Sequence, residues 1–171
     1  YGAFISLLGA LYIITGGIHL RGSTHATASS NTAWLAAGAA LASLVGTTGA
    51  SMLLIRPLLR ANEGRKNRVH LVVFFIFIVS NGGGLLTPLG DPPLFLGFLR
   101  GVPFLWTLRL VPIWLAANTL LLALFYVMDR RLDGPEPRSP GLRGEVLRIE
   151  GGLNFLWLFA VVLVNLAVGS Q

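Results

Sequence analysis

Oxygen-bearing and acidic residues interrupt the apolar segment 69–100 near its middle. The interruption, residues 80–93, reads SNGGGLLTPLGDPP and stands between VHLVVFFIFIV and LFLGFL. Asp91 is the only acidic residue placed within an apolar segment, and an ionisable group at membrane depth is by default a candidate functional group. Burial favours the protonated carboxyl and a nearby cation favours the ionised one, so Asp91 is a candidate for exchanging a proton for a sodium ion.

A structural role for Asp91 is compatible with that one and stays open. Asp is a preferred N-cap residue, and Pro is preferred at the first helical position. Asp91 followed by Pro92-Pro93 therefore also indicates the start of a helix. The carboxyl would then accept a hydrogen bond from a backbone amide of the first turn.

A second oxygen-rich stretch, GTTG at 46–49, interrupts the apolar segment 32–59. Helices that end inside a membrane expose carbonyl oxygens that favour cations, and a small hard cation such as sodium prefers oxygen ligands. We expect the two interruptions to meet in space and form one site. The candidate sodium ligands are Thr47, Thr48, Gly49, Ser51, Ser80, Asn81, Gly82, Thr87 and Asp91, and Asp91 is also the candidate for proton coupling.

The composition predicts that these residues are held by a membrane domain. The chain has 171 residues, of which 54% are hydrophobic and 12% charged, against about 25% charged in a soluble domain. Its net charge of +6 does not indicate nucleic acid, because the basic residues stand at the ends of apolar runs, as membrane topology requires. The absence of cysteine excludes disulfides and thiolate metal sites, and no cofactor is expected.

The hydropathy pattern predicts an all-α membrane protein with a single domain over 1–171. Its segments are a transmembrane helix (1–20), a re-entrant hairpin (32–59), a broken transmembrane helix (69–100), a transmembrane helix (110–128), a cytoplasmic linker (129–148) and a last transmembrane helix (149–169).

The hairpin prediction rests on the short flanks of GTTG, which we count as about 10–14 residues each and too short to cross a membrane alone. A face of small residues, suited to close helix packing, precedes the tip; it consists of Ala36, Ala37, Ala39, Ala40, Ala42 and Ser43. The hairpin predicts that Ser30 and Asn62 lie on the same side of the membrane. The alternative is one bent spanning helix.

The break prediction rests on glycine and proline. Pro88, Pro92 and Pro93 each lack an amide donor, and Gly82–Gly84 disfavour a helix. We therefore expect the first half-helix to end at Val79. Unpaired backbone groups at membrane depth are tolerated only where protein encloses them.

Basic residues predict the orientation. They crowd the loops 60–68 and 129–148, between which the chain crosses twice, so both loops are expected on the cytoplasmic side of a bacterial inner membrane. His19, His25 and His70 are interpreted as interfacial residues, and Asp129 as a helix-end residue among arginines.

Two stretches resemble the sodium/proton antiporters of the ion-transporter superfamily, which also holds citrate, arsenite and dicarboxylate carriers. They are GTTGASMLLIRPLLRAN and VFFIFIVSNGGGLLTPLGDPPLFLG, accompanied by GGIH at 16–19 and EGGLNF at 150–155. The resemblance implies two inverted repeats, each with a re-entrant hairpin and a discontinuous helix, in a homodimer that works by an elevator-like movement.

The resemblance carries over to the site with two departures. Thr47-Thr48-Gly49 stands where dicarboxylate carriers have a Ser-Asn-Thr tip that helps to hold sodium, so the oxygens carry over but the asparagine amide does not. Gly90-Asp91-Pro92-Pro93 stands where they have Gly-Ser-Pro-Pro. A carboxylate in place of serine favours Na⁺/H⁺ antiport, and a carboxylate or anion carrier of the same superfamily is the alternative.

The chain supplies one repeat, and alternating access needs both. We therefore expect a fragment of a transporter, whose partners are membrane lipid, Na⁺, H⁺, the rest of the transporter and a second copy. A non-transporting accessory subunit of a larger membrane complex is a further alternative. An intramembrane aspartyl protease, suggested by Leu89-Gly90-Asp91, needs two facing carboxyls, and the sequence predicts no second intramembrane acid. No enzyme activity is expected.

Overall fold

The structure, a computed structural model, describes residues 27–132 without a gap, the segments 19–21 and 148–150, and scattered helical residues within 5–14 and 153–160. The predicted helices 1–20 and 149–169 and the linker 129–148 therefore lie largely outside the described residues. Two short strands, β1 (His19–Arg21) and β2 (Arg148–Glu150), pair antiparallel, with His19 opposite Glu150. This pair is an addition to the predicted all-α architecture.

Helices α1 (Ala28–Val45) and α2 (Thr47–Ala61) run antiparallel and meet at Gly46. Gly46 has φ +85° and ψ 151°, a conformation that is essentially restricted to glycine. At the other end the side-chain amides of Asn31 and Asn62 bond each other reciprocally, at 3.0 and 2.9 Å. The chain therefore reverses at Gly46 and returns to the level at which α1 began.

The helices of this pair are longer than the flanks counted in the sequence. α1 has 18 residues and α2 has 15, so the count of about 10–14 residues was wrong. The difference lies at the polar ends of the pair. The Thr27 hydroxyl accepts a hydrogen bond from the Ser30 amide at 3.2 Å and so caps the helix. α1 therefore begins at Ala28, ahead of the apolar segment 32–59.

The stretch from Val69 to Leu99 changes helix type before it breaks. α3 (Val69–Phe75) continues as a π-helical segment (Ile76–Asn81) and then as a 3₁₀ segment (Gly82–Leu86). Only then is the backbone extended, at Thr87, and α4 (Pro92–Leu99) follows. Regular α-helix therefore ends at Phe75, before the predicted end at Val79, whereas π and 3₁₀ turns continue to Leu86. Glycines weaken a helix without removing amide donors, and the first proline comes only at Pro88.

The last continuous stretch is a 3₁₀ segment (Phe104–Leu110) followed by α5 (Val111–Leu132). The observed helix α5 therefore extends further at its C-terminal end than the predicted helix 110–128. Within the described residues, two helical stretches are long and apolar enough to span a membrane: Val69–Leu86 and Phe104–Leu132, each with a mean hydropathy of 2.0. Only 11% of the apolar part of the second stretch is buried inside the protein. Its outward side chains, such as Ile113 and Leu120, form an apolar surface suited to lipid.

Small residues bring α1 against the glycine-rich stretch. A Cβ atom added to Gly83 would lie 2.9 Å from both the Ala39 Cα and the Ala42 Cβ. The predicted small-residue face is nevertheless narrower than expected, because Ala37 and Ala40 are exposed. Close packing at Ala39 and Ala42 therefore holds the break against the end of α1.

Candidate functional site

Two serine hydroxyls join the start of α2 to the π-helical segment. The Oγ atoms of Ser51 and Ser80 lie 2.8 Å apart, and the Ser51 hydroxyl donates to the Thr47 carbonyl at 2.6 Å. A hydroxyl has one proton, so Ser51 accepts the hydrogen bond from Ser80. We call this region, where residues 43–51 meet residues 80–91, the junction.

Backbone contacts close the junction on one side. The Thr47 amide donates to the Gly90 carbonyl at 3.1 Å. Gly84 and Gly90 approach each other so closely that a Cβ on Gly84 would lie 2.6 Å from the Gly90 oxygen. Such a distance leaves no room for a side chain at Gly84, so the break is fitted to the helix start by its glycines.

Two further hydrogen bonds tie the end of α1 to the same stretch. The Ser43 hydroxyl donates to the Gly83 carbonyl, and the Thr87 hydroxyl donates to the Ser43 carbonyl. Both bonds cross between segments that are about 40 residues apart in the sequence. The break is therefore held in a defined position against the end of α1.

The predicted ligands are distributed unevenly around this junction. Thr47, Ser51, Ser80 and Thr87 take part in its hydrogen bonds. Gly49 is buried and Gly82 partly buried. The side chains of Thr48 and Asn81 are exposed. Oxygens from both interruptions thus lie together, while two of the predicted side chains face outward.

Asp91 lies at the junction's edge and is half-buried. It occupies the N-cap position of α4, with φ −142° and ψ 133°, but its side chain makes no capping hydrogen bond. The predicted side-chain cap was therefore wrong, for a physical reason. Pro92 and Pro93 have no amide proton to offer, and the next amide, of Leu94, is bound by the Asp91 backbone oxygen at 3.1 Å. The carboxylate takes no part in holding α4.

A buried polar cluster at the opposite end of the helices escaped the sequence interpretation. The Asp129 carboxylate is fully buried. It contacts Arg65 through Oδ1, His70 Nε2 at 2.8 Å through the same oxygen, and Asn31 Nδ2 at 3.0 Å through Oδ2. His70 also stacks on Phe125, with ring centroids 6.0 Å apart. We call the polar residues Asn31, Asn62, Arg65, His70 and Asp129 the base cluster.

The base cluster joins α1, the loop after α2, α3 and α5. His70 and Asp129 do lie at helix ends, as the sequence indicated, but both side chains are buried instead of facing an interface. The available signal was weak: Phe125 and Asp129 are four residues apart and therefore share a helix face. A buried charge needs partners, and those partners come from segments that the sequence does not place together.

The whole chain matches one family model. The model, which is described as Putative citrate transport, covers residues 1–171. The chain belongs to this family. No curated protein and no solved structure matches it. Membership of a citrate transport family indicates a membrane carrier, and it agrees with the resemblance to the superfamily that includes citrate carriers.

Proposed function

We propose that the protein is a sodium-coupled secondary transporter that exchanges Na⁺ for H⁺ across the membrane. The observation that carries this proposal is the contact between Ser51 and Ser80, 2.8 Å apart at the junction. It brings together an oxygen from the start of α2, one turn after the reversal at Gly46, and an oxygen from the π-helical segment. Sodium would bind there, on the oxygens of Thr47, Ser51, Ser80 and Thr87.

Asp91 would supply the charge that couples the two ions. Neutral oxygens replace the hydration shell of a sodium ion but do not balance its charge. An ionised Asp91 balances that charge, and a protonated Asp91 removes the balance, so the site holds either ion in turn. Because the carboxylate does not cap α4, its protonation leaves the helix start unchanged.

The base cluster supports a proposed membrane arrangement. Arg65 contacts Asp129, so the loop after α2 and the end of α5 lie at the same end of the helices. We place that end at the cytoplasmic surface, where Arg130 and Arg131 also lie. The pair α1–α2 would then enter and leave on that side as a re-entrant hairpin, with its tip at Gly46. The rest of the transporter, a second copy and lipid would surround it.

Carboxylate uptake is the second candidate function, and the citrate transport family favours it. Sodium would then enter with a citrate-type anion instead of against a proton. The side chains that we place at the junction are neutral apart from Asp91, so an anion would need positive charge from elsewhere in the transporter. The sodium site is common to both candidates, and the direction of coupling separates them.

Proteoliposomes that contain the full-length protein and an internal pH indicator test the proposal. An inward sodium gradient, imposed without any carboxylate, should drive protons outward and raise the internal pH. Potassium chloride at the same ionic strength is the control. Sodium-driven flux that requires citrate would establish the second candidate instead. Absence of any sodium-dependent flux, with or without citrate, would overturn both.

A further inference from the structure

Asn118 places an unpartnered amide oxygen in the interior of the protein. It lies near the middle of α5 and is 5% exposed, although its sequence neighbours Ala117 and Thr119 are both exposed. Its Nδ2 donates to the Trp114 carbonyl at 3.0 Å. Its Oδ1 is buried and has no hydrogen-bond partner among the described residues. A buried carbonyl without a partner costs free energy and needs an explanation.

The orientation of this amide is fixed by its neighbours. The two ends of an asparagine amide differ only in the hydrogen bonds that they make. Rotating the Asn118 amide would place Oδ1 against the Trp114 carbonyl, bringing two acceptors together. The bond to Trp114 therefore directs Oδ1 away from the helix backbone.

The amide of Asn118 lies over Gly82, where the π-helical segment gives way to the 3₁₀ segment. A Cβ atom on Gly82 would be 3.6 Å from Asn118 Oδ1 and 3.9 Å from Nδ2. Gly82 comes two residues after Ser80, whose hydroxyl meets that of Ser51. Asn118 thus brings α5 to the irregular stretch that contributes oxygens to the junction.

We propose that Asn118 Oδ1 is a further ligand of the transported sodium ion, so that α5 completes the site formed by α2 and the π-helical segment. This inference rests on the sodium-coupled transport proposed above. An amide carbonyl is a neutral, hard oxygen ligand of the kind that sodium prefers. A sodium ion would satisfy Oδ1, and an ordered water is the competing explanation.

Sodium-dependent thermal stability tests the inference independently of transport. Sodium that binds the folded protein raises its unfolding temperature by mass action. A titration in which Na⁺ replaces choline at constant ionic strength therefore gives the half-saturating sodium concentration. Asn118→Ala should raise that concentration by about tenfold or more. Asn118→Asp, which keeps the oxygen in place, should retain sodium binding. Trp114→Phe removes Nε1, the other buried side-chain polar atom without a partner among the described residues, and should leave the sodium titration as in the parent.

The outcomes distinguish this inference from the proposed function. If the parent is stabilised by sodium and Asn118→Ala gives the same half-saturating concentration, Oδ1 binds only water and the inference fails alone. If Asn118→Ala does not fold, Asn118→Asp decides, because loss of sodium stabilisation in a folded Asn118→Asp contradicts a ligand role. If sodium stabilises no form of the protein, the inference and the proposed sodium site fail together.

Discussion

Ser51 and Ser80 lie with their hydroxyl oxygens 2.8 Å apart, although they are 29 positions apart in the sequence. Ser51 belongs to the second turn of α2, and Ser80 to the π-helical segment after α3. π-Helical segments are uncommon and are frequently found at functional sites. The contact therefore joins the start of α2 to the π-helical segment, and the sodium proposal depends on that connection.

The close approach of Gly84 and Gly90 predicts a strong effect of Gly84→Ala. The new Cβ would lie 2.6 Å from both the Gly90 oxygen and the Thr47 Cγ2. Overpacking of this kind costs about 1–3 kcal/mol, so the unfolding temperature of the detergent-solubilised variant should fall. Gly97→Ala is the matched control, because its Cβ would meet only Val102, at 3.8 Å. It should be neutral or slightly stabilising, since alanine favours a helix. Equal stability of the two variants would contradict the tight junction.

The base cluster predicts that Asp129→Asn destabilises the protein. Asn31, Arg65 and His70 all donate to the Asp129 carboxylate. An asparagine side chain at this position has one oxygen and one NH₂ group. The NH₂ group would therefore face at least one of these donors. Removing one partner of a buried ion pair costs roughly 3–5 kcal/mol. Glu63→Gln, in an exposed position of the neighbouring loop, should shift stability by no more than about 0.5 kcal/mol. Thermal unfolding measures the stability of both variants. An Asp129→Asn variant as stable as the parent would show that the buried ion pair contributes little to stability.

The reversal at Gly46 predicts the sidedness of the loops. The sequence indicates Ser30 and Asn62 as reporters, but Asn62 is buried in the base cluster, so the exposed residues Ser29 and Glu63 are better positions. Because the chain contains no cysteine, Ser29→Cys and Glu63→Cys give clean single sites. An impermeant maleimide should label both from the same side of oriented vesicles, and Arg100→Cys from the other side. Labelling of Ser29→Cys and Glu63→Cys from opposite sides would mean that α1 and α2 cross the membrane as one helix.

The features that local chemistry determines were the ones that the sequence predicted. GTTG contains the residue at which the chain reverses, because only glycine adopts the Gly46 conformation readily. Asp91 followed by two prolines marks the start of α4. Membrane transport followed from composition and from the resemblance, and the family supports it at the level of citrate carriers.

The features that long-range contacts determine were missed. The change from π to 3₁₀ geometry over Ile76–Leu86 depends on packing against α1 at Gly83, and no local propensity specifies it. The partners of Asp129 come from three other segments, at Asn31, Arg65 and His70. The failed cap at Asp91 was predictable in principle, since the two prolines that favour a helix start also remove the amides that a carboxylate would bind.

Asp91→Asn should separate coupling from folding. The Asp91 side chain makes no capping hydrogen bond. The free energy of unfolding of the variant should therefore lie within about 0.5 kcal/mol of the parent's. Asparagine neither titrates nor carries a negative charge, so the sodium-driven rise of internal pH in proteoliposomes should be lost. A parent-like pH response would exclude Asp91 from coupling, and misfolding of the variant would show that the carboxylate has a structural role.

The sodium titration of Ser51→Ala, Ser80→Ala and the double variant tests the central claim most directly, because it asks whether the start of α2 and the π-helical segment share one ion. Each single substitution should raise the half-saturating sodium concentration for thermal stabilisation by about tenfold, equivalent to ~1.4 kcal/mol. The double variant should lose less than the sum of the two free energies, since neighbouring ligands of one ion are not independent. Thr119→Ala, which removes an exposed hydroxyl of α5, should match the parent. If the parent responds to sodium and all three serine variants respond identically to it, sodium does not bind at the junction.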